Sequence, residues 1–252
     1  MNTEDLVRSH YRRDDLEERV LEALRRSGAD PDALTVADLA GLDNLHAGSL
    51  AATEHVLDVL GVSSADTLLD VGSGIGGPAR LAAARHGCRV TGIDLSPDFV
   101  ALARSLTDRV GLTEQVSFDV GSATSLPYPD GTFSAAMQNH VGMNIADKAA
   151  VFAEVRRVLG AGGRFAVYDQ MRVGDGDHGL AFPMPWADDE RASFVERRDG
   201  YVRMLAGAGF TIERGEDCSA LVATAGPPAP GSLSPADLFG PGFIERIFNN
   251  LG

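Results

Sequence analysis

Five residues pose the first chemical question. Asp70, Gly72, Gly74 and Gly77 close a short apolar run, Thr67–Val71, and Asp94 stands about twenty residues further on. A glycine-rich turn between a strand and a helix, followed by such an acid, is the fingerprint of a nucleotide-binding crossover. Glycines at 72, 74, 76 and 77 leave room for a ligand to touch the backbone. Pro78 falls in the first helical turn, where its missing N–H costs nothing. Asp94 can accept hydrogen bonds from both hydroxyls of a ribose. The spacing admits two kinds of ligand, an anionic dinucleotide or an adenosyl group that carries an ammonium and a sulfonium. Asp70 weighs toward the second, because a carboxylate at the strand end attracts cations and gains nothing from a pyrophosphate.

A second set of residues could act on a substrate. His140 follows a predicted fourth strand, at the carboxyl edge where ligands of open α/β proteins sit. An unperturbed imidazole, with a pKa of about 6.5, suits proton removal near neutrality. The same histidine could instead pack against a ligand and orient it. Asp169 ends a predicted fifth strand and could orient His140 or a substrate amine, or stand as a solvated strand-end carboxylate. Met143 and Tyr168 are candidates for an acceptor pocket or for the core. "FPMPW", Phe182–Trp186, adds an apolar patch in a loop, with Trp186 the sole tryptophan. No metal is expected. Asp175, Asp177 and His178 in "GDGDHG" lack the further oxygen ligands of a hard-cation loop and read as a polar turn. Cys88 and Cys218 have neither ligand spacing nor partners for a disulfide framework.

These residues need elements to position them. Thr3 to Ser27 reads as one amphipathic helix ending at Gly28, and a second helix runs from about Leu50 to Leu60 and closes at Gly61. Strand patterns begin only at Thr67. Thr67–Val71, Arg89–Ile93, Gln115–Val120, Phe133–Gln138 and Arg164–Asp169 then alternate with helices at Gly76–His86, from Ser96-Pro97, and at Asp147–Leu159. A long helix at Arg191–Ala208, a sixth strand at Phe210–Glu213 and a short helix at Phe243–Asn249 complete the pattern. Alternation of this kind calls for an α/β doubly wound, mostly parallel Rossmann-like sheet. The expected division is an N-terminal helical lid over residues 1–65 and a nucleotide-binding domain over 66–252.

Bulk properties narrow the partners. The chain has 252 residues, 44% of them hydrophobic, and a formal charge of −14. That charge argues against nucleic acid, which needs a basic surface to displace counterions. No apolar run approaches the roughly 20 residues of a membrane span, and the charged N-terminus carries no secretory pattern. A cytoplasmic protein with a small-molecule partner is the expectation, and the acidic balance favours a neutral or cationic one.

The segments "LLDVGSGIGGPARLA", "VTGIDLSPDFVALAR", "GSATSLPYPDGTFSAAMQNHVGMNIADKAAVFAEVRRVLGAGGRFAVYD" and "MLAGAGF" follow in order. Together they resemble the successive motifs of class I S-adenosylmethionine-dependent methyltransferases, in the small-molecule group with ubiquinone/menaquinone-type and sarcosine/dimethylglycine-type enzymes. The resemblance spans about Leu42 to Glu216. It implies S-adenosylmethionine as cofactor and S-adenosylhomocysteine as product. Asp70, Gly72, Ser73, Gly74 and Gly76 would line the methionine half, Asp94 the ribose, and Leu95 the adenine. Ser122, Ala123 and Leu126 would form the adenine edge, and Gln138 would border the amine through its backbone. His46, in "LDNLHAGS", looks like the lid histidine of this group and would meet the acceptor. The implied reaction moves a methyl group to oxygen or nitrogen, less readily carbon, by direct displacement. Two alternatives stay open: a fold relative assisting a step such as cyclisation, and a nicotinamide-dependent oxidoreductase.

This sequence departs from the family twice. Serine stands at position 122, where an acidic residue is common, and nothing after Phe243 reads as the usual seventh strand. The sheet edge would then be completed differently, for example by a second subunit in a homo-oligomer.

Overall fold

A computed structural model describes residues 3–12, 15–43, 48–173, 180–224 and 233–239. His46, the 175–178 acid–histidine cluster and the helix expected at Phe243–Asn249 lie outside the described residues.

Four helices precede the sheet: α1 (Thr3–Tyr11), α2 (Leu16–Arg26), α3 (Val36–Asp43) and α4 (Ser49–Leu60). The single helix expected over Thr3–Ser27 is therefore two. Arg12 leaves the helical conformation, and Asp15 takes a left-handed backbone, φ 64°, one of the few non-glycine types that tolerate it. The break lets the two pieces face different partners. Leu16, Val20 and Leu24 of α2 share a buried cluster with Phe99, Leu102 and Leu106, while Val7 of α1 packs with Ala187 and Ala192.

The sheet follows as β1 (Thr67–Val71), β2 (Arg89–Asp94), β3 (Val116–Val120), β4 (Phe133–Asn139) and β5 (Leu159–Tyr168), all parallel, in the order β3-β2-β1-β4-β5. Between them run α5 (Gly77–His86), α6 (Pro97–Arg109) and α7 (Lys148–Val158); α8 (Arg198–Gly207), α9 (Ser219–Thr224) and α10 (Pro235–Phe239) follow. The helix starts are legible locally. Ser96 caps α6 by accepting from the Phe99 amide, and Asp147 caps α7 by accepting from the Ala150 amide at 2.9 Å.

Both faces of the sheet are covered. Leu68, Val90, Ala135 and Met137 point to one face, among side chains from α4, α5 and α6; Leu69, Val71, Ile93 and Ala136 point to the other, among side chains from α7 and Tyr201 of α8. Side chains two apart share a face, so a parallel sheet buried on both sides must be apolar at consecutive positions. This is the α/β, Rossmann-like architecture the strand–helix alternation calls for. Strand order reverses at β1 and β4, which opens a crevice beyond their carboxyl ends.

Two expected elements are not formed. The helix drawn at Arg191–Ala208 begins only at Arg198. Before it lies one 3-10 turn, Glu190–Ala192, and an extended stretch stitched to the sheet edge. There the Phe194 amide bonds the Met143 carbonyl at 2.6 Å, and the Arg172 amide bonds the Glu196 carbonyl at 3.0 Å. These tertiary bonds outcompete the local helical pattern. Phe210–Glu213, expected as a sixth strand, is irregular. Phe210 packs against Phe165, but Ile212 is 38% exposed, and among the described residues no strand lies beside this segment to pair with it. A strand requires a ladder, and no hairpin partner for this segment lies among the described residues.

The helical prelude is anchored to the sheet domain by a buried ion pair. Arg80 of α5 is fully buried and pairs with Asp43 at the end of α3, both nitrogens Nε and Nη2 donating to its carboxylate. Its third nitrogen donates to the Ala103 carbonyl and to Thr107 Oγ1. A side chain at Gly77 would collide with Asp43, so glycine there permits the approach. Removing one partner strands a buried charge. Asp43→Ala is expected to lose about 3–5 kcal/mol of stability in urea unfolding, and the double change Asp43→Leu with Arg80→Met to lose much less. Equal losses would show that packing, not charge pairing, holds this contact.

Candidate active site

The crevice begins with the loop between β1 and α5. Its amides turn back onto β2: those of Gly72 and Ser73 donate to the Ile93 carbonyl at 2.8 and 3.0 Å, and that of Gly74 to Asp94 Oδ2 at 2.8 Å. The Ser96 amide takes the other oxygen, Oδ1, at 2.9 Å. Asp94 is thereby pinned, mostly buried, with lone pairs to spare, since each carboxylate oxygen accepts more than one bond. Gly72 and Gly76 have φ of 72° and 86°, and a side chain at either would strike Val141 or Phe118. Glycine is required here first by the protein's own backbone and neighbours. At Gly74 a side chain would meet no protein atom, so that position is open toward the crevice.

Beneath the loop lies a group of unmatched acceptors. Among the described residues Asp70, 1% exposed, has no hydrogen-bond partner for its Oδ2, and Ser73 Oγ and Asn139 Oδ1 are likewise buried and unmatched; Gln138 Oε1, also unmatched, belongs to the opposite face of the sheet, beside Gly142 and Asp169. Burial, and then the neighbouring charge of Asp94, push the Asp70 carboxyl up to about 8. Burial also raises Asp94, against the downward pull of the Ser96, Gly74 and Leu95 amides. Buried acceptors without donors are costly. A ligand cation or N–H group would satisfy them, whereas a pyrophosphate would add charge of the same sign.

Beyond Asp94 the crevice runs past Leu95, whose carbonyl accepts from Arg8 Nε, and Ser122, whose hydroxyl donates to Glu4 Oε1 at 2.5 Å. Ala123 and Leu126 pack toward the core cluster of Ile93 and Phe133, with Leu126 buried.

The other side of the crevice is built at the ends of β4 and β5. His140 takes a left-handed backbone, φ 52°, unusual outside glycine and concentrated at functional turns. Its amide donates to the Tyr168 carbonyl at 2.7 Å, and its ring lies 5.1 Å from that of Tyr168, tilted by 32°. Asp169 bonds the amides of Gly142 and Gln170 at 2.8 and 2.9 Å and the Tyr201 hydroxyl at 2.8 Å. Burial raises its carboxyl to about 6 despite those donors and Lys148. The carboxylate thus clamps the turn that carries His140. Met143 is buried beside it, and Trp186 sits in the covering loop, its Nε1 donating to Ser193 Oγ at 3.0 Å.

Three further residues assemble this site without having drawn notice in the sequence. Asn144 donates to the carbonyls of Trp186 and Ala192 and accepts from the Tyr11 hydroxyl at 3.1 Å, joining α1, the turn after β4 and the covering loop. Tyr201 closes over Asp169. Lys148, the only lysine in the chain, is buried and donates to the carbonyls of Ile145 and Phe194 at 2.8 and 2.5 Å. Its singularity was the available signal; asparagine and tyrosine gave none.

Elsewhere, among the described residues, His55, Glu216 and Cys218 lie close enough to share an ion, their ligand atoms within 4.8 Å of one another. His55 Nε2 already bonds Glu216 Oε1 at 2.7 Å, and Arg214 pairs with the other oxygen. The trio ties this segment to α4. No helix among the described residues is long and apolar enough to cross a membrane.

Comparison with known proteins bears on the same residues. Residues 69–167 match the methyltransferase domain family. The chain is 31% identical over 191 residues to methyltransferase GfsG of Streptomyces halstedii, covering 75% of this chain and 69% of that protein. It is 40% identical over 95 residues to ajmaline N-methyltransferase of Rauvolfia serpentina, covering 38% of this chain and 33% of that protein. Against this second relative the match is thus confined to about a third of the partner's length. Among solved structures, the [4+2]-cyclase SpnF superposes with a TM-score of 0.62 at 27% identity, covering 81% of this chain and 73% of that one. The chain belongs to the class I S-adenosylmethionine-dependent methyltransferases. It is an enzyme of that family, and S-adenosylmethionine is the cofactor.

Asp70 gives the first test of the donor half. A cation at its carboxylate requires the ionised form, which below pH 8 costs a proton. S-adenosylhomocysteine affinity is therefore expected to rise from pH 6 to pH 8, with proton release seen by calorimetry in buffers of different ionisation enthalpy. Asp70→Asn should abolish that release and weaken binding. Because the carboxyl is raised on folding, it favours the folded state less as pH climbs toward 8. The asparagine variant should consequently be more stable than the native protein at pH 8. Proton release that survives in Asp70→Asn would exclude this carboxyl.

Proposed function

We propose that the chain transfers a methyl group from S-adenosylmethionine to an oxygen or nitrogen atom of a small molecule, less readily to carbon, by direct in-line displacement. The observation that carries the reading is the buried, unmatched carboxyl of Asp70 with the unmatched hydroxyl of Ser73, next to Asp94, whose two oxygens are pinned by the Gly74 and Ser96 amides. That set suits a ligand with an ammonium at one end and a ribose in the middle. When bound, the cofactor supplies an electrophilic methyl carbon on a sulfonium. Asp70 and Gln138 accept from its amine; Asp94 accepts from the ribose hydroxyls; Gly72, Ser73, Gly74 and Gly76 line the backbone between them. Leu95, Ser122, Ala123 and Leu126 border the base.

The acceptor enters opposite, over His140, Tyr168, Met143 and Trp186, with His46 from the prelude. In this reading the N-terminal residues 1–65 form a helical cover, and its α1, together with the separate 182–192 loop, lies over the crevice. The unprotonated ring nitrogen of His140 takes the proton of an acceptor O–H or N–H as the new bond forms. Asp169 holds the 140–142 turn and so positions that ring. Alignment of two reactants can supply roughly 7–11 kcal/mol of the barrier, the larger share of the work in a displacement of this kind.

One observation favours a second reading. The likeness to the [4+2]-cyclase SpnF supports a protein of this fold that assists ring closure. Incubation of labelled S-adenosylmethionine with panels of hydroxylated and amine acceptors separates the two. Label transferred to product supports methylation; ring closure with no label transferred supports the other. His140→Ala is expected to keep S-adenosylhomocysteine affinity while turnover falls about 10²–10⁴-fold. Unchanged turnover with the true acceptor would remove the proton-accepting role.

A further inference from the structure

The first helix places an acid, Glu4, against a hydroxyl, and among the described residues no cation pairs with it. Glu4 is part-buried on α1, and its hydrogen bond comes from the Ser122 hydroxyl at the carboxyl end of β3. That hydroxyl is itself held by the Thr124 hydroxyl at 2.8 Å and accepts from the Thr124 amide. The helix is seated along its length. Arg8 reaches the Leu95 carbonyl, His10 contacts Asp188 Oδ2 and the Pro185 carbonyl, each at 3.1 Å, and Tyr11 bonds Asn144. Leu6, Val7 and Tyr11 pack with Leu95, Ala187 and Trp186. α1 thus crosses the carboxyl ends of β2, β3 and β4 with its first turn above Leu95 and Ser122.

A nucleoside whose ribose rests on Asp94 puts its base at this place, between the ends of β2 and β3. Adenine presents there a 6-amino group, a donor in the plane of the ring. In a chain of net charge −14, an acid set at a ligand edge with only a hydroxyl for company is suited to receive such a donor. We propose that Glu4 reads the 6-amino group of the donor's adenine, so that the N-terminal helix discriminates adenine from 6-oxo purines. The inference rests on the placement of the donor along Asp70 and Asp94 given above. It adds that recognition of the base and seating of α1 are one event, because the acceptor is carried by the cover and not by the sheet.

The probe is S-inosylhomocysteine, in which a carbonyl oxygen replaces the 6-amino group. Titration calorimetry of the native protein with it and with S-adenosylhomocysteine is expected to favour the adenosyl compound by about 30-fold or more, since a carboxylate facing a carbonyl loses a bond and gains repulsion. Glu4→Gln, close in size and able to donate to a carbonyl, should reduce that ratio to within about threefold. Asp5→Asn removes a neighbouring charge from the same helix and should leave the ratio intact. Thermal unfolding of each variant with and without ligand confirms that a folded protein is compared. A ratio unchanged in Glu4→Gln overturns the proposal, as does a native protein that binds both nucleosides equally. Binding of neither by the native protein overturns the donor placement itself, and this proposal with it.

Discussion

A carboxyl group buried at the end of a central strand, with one oxygen that bonds nothing in the protein, is the constraint from which the rest of the site follows. Asp70 cannot be relieved by its neighbours. Ser73 contributes a further unmatched hydroxyl, and Asp94 contributes charge of the same sign. A protein core ordinarily excludes such a set. Its persistence here implies that the missing donors come with a ligand, and their number and sign describe that ligand's chemistry. The same constraint explains why the surrounding backbone is so heavily determined. The loop that closes over Asp70 is held by three amide bonds onto Ile93 and Asp94, and by glycines whose substitution would drive side chains into Val141 and Phe118. Stability forgone at the acceptors is recovered in the scaffold that presents them.

The donor half was legible in the sequence because its information is local. Three glycines, an aspartate ahead of them and another at the end of the next strand fix a turn, a charge and a ribose acceptor within about thirty residues of chain. Five strands were found near their true places for the same reason, each being a short apolar run bounded by turn residues. The failures share the opposite property. Arg191–Arg197 has a helical pattern, yet it is drawn into extended form by the Met143 carbonyl and Lys148, which lie far away in the chain. Phe210–Glu213 has a strand pattern but no ladder to join. The helix over Thr3–Ser27 breaks at an aspartate whose left-handed backbone nothing in a periodicity argument foretells.

The acceptor side was less readable still. His140 and Asp169 could be named because strand ends are predictable and their side chains are ionisable. What could not be read is how they are held. Asp169 spends its hydrogen bonds on the backbone of the turn and on Tyr201, so its contribution reaches His140 through the chain rather than by direct contact in any bond it makes. Asn144 and Lys148 do similar work with backbone carbonyls from three separate segments. Residues of this kind carry no motif. Their importance comes from the place where long-range contacts converge.

This division has a consequence for how one scaffold serves different chemistries. An N-methyltransferase and a [4+2]-cyclase both align with this chain. If the donor half is set by local backbone geometry, it can be retained while the covering elements vary. In this chain the cover is α1 and the loop around Trp186, joined through Asn144 and Tyr11 and through His10 with Asp188. A small apolar cluster, Leu6, Val7 and Tyr11 with Leu95, Ala187 and Trp186, joins those polar bonds, where a larger core fixes α2 to α6. Elements held by such bonds open at lower free-energy cost than elements held by a core. Because α1 carries Glu4 to the edge where the donor's base would lie, a change of sequence in this cover would bear on the donor as well as on the guest.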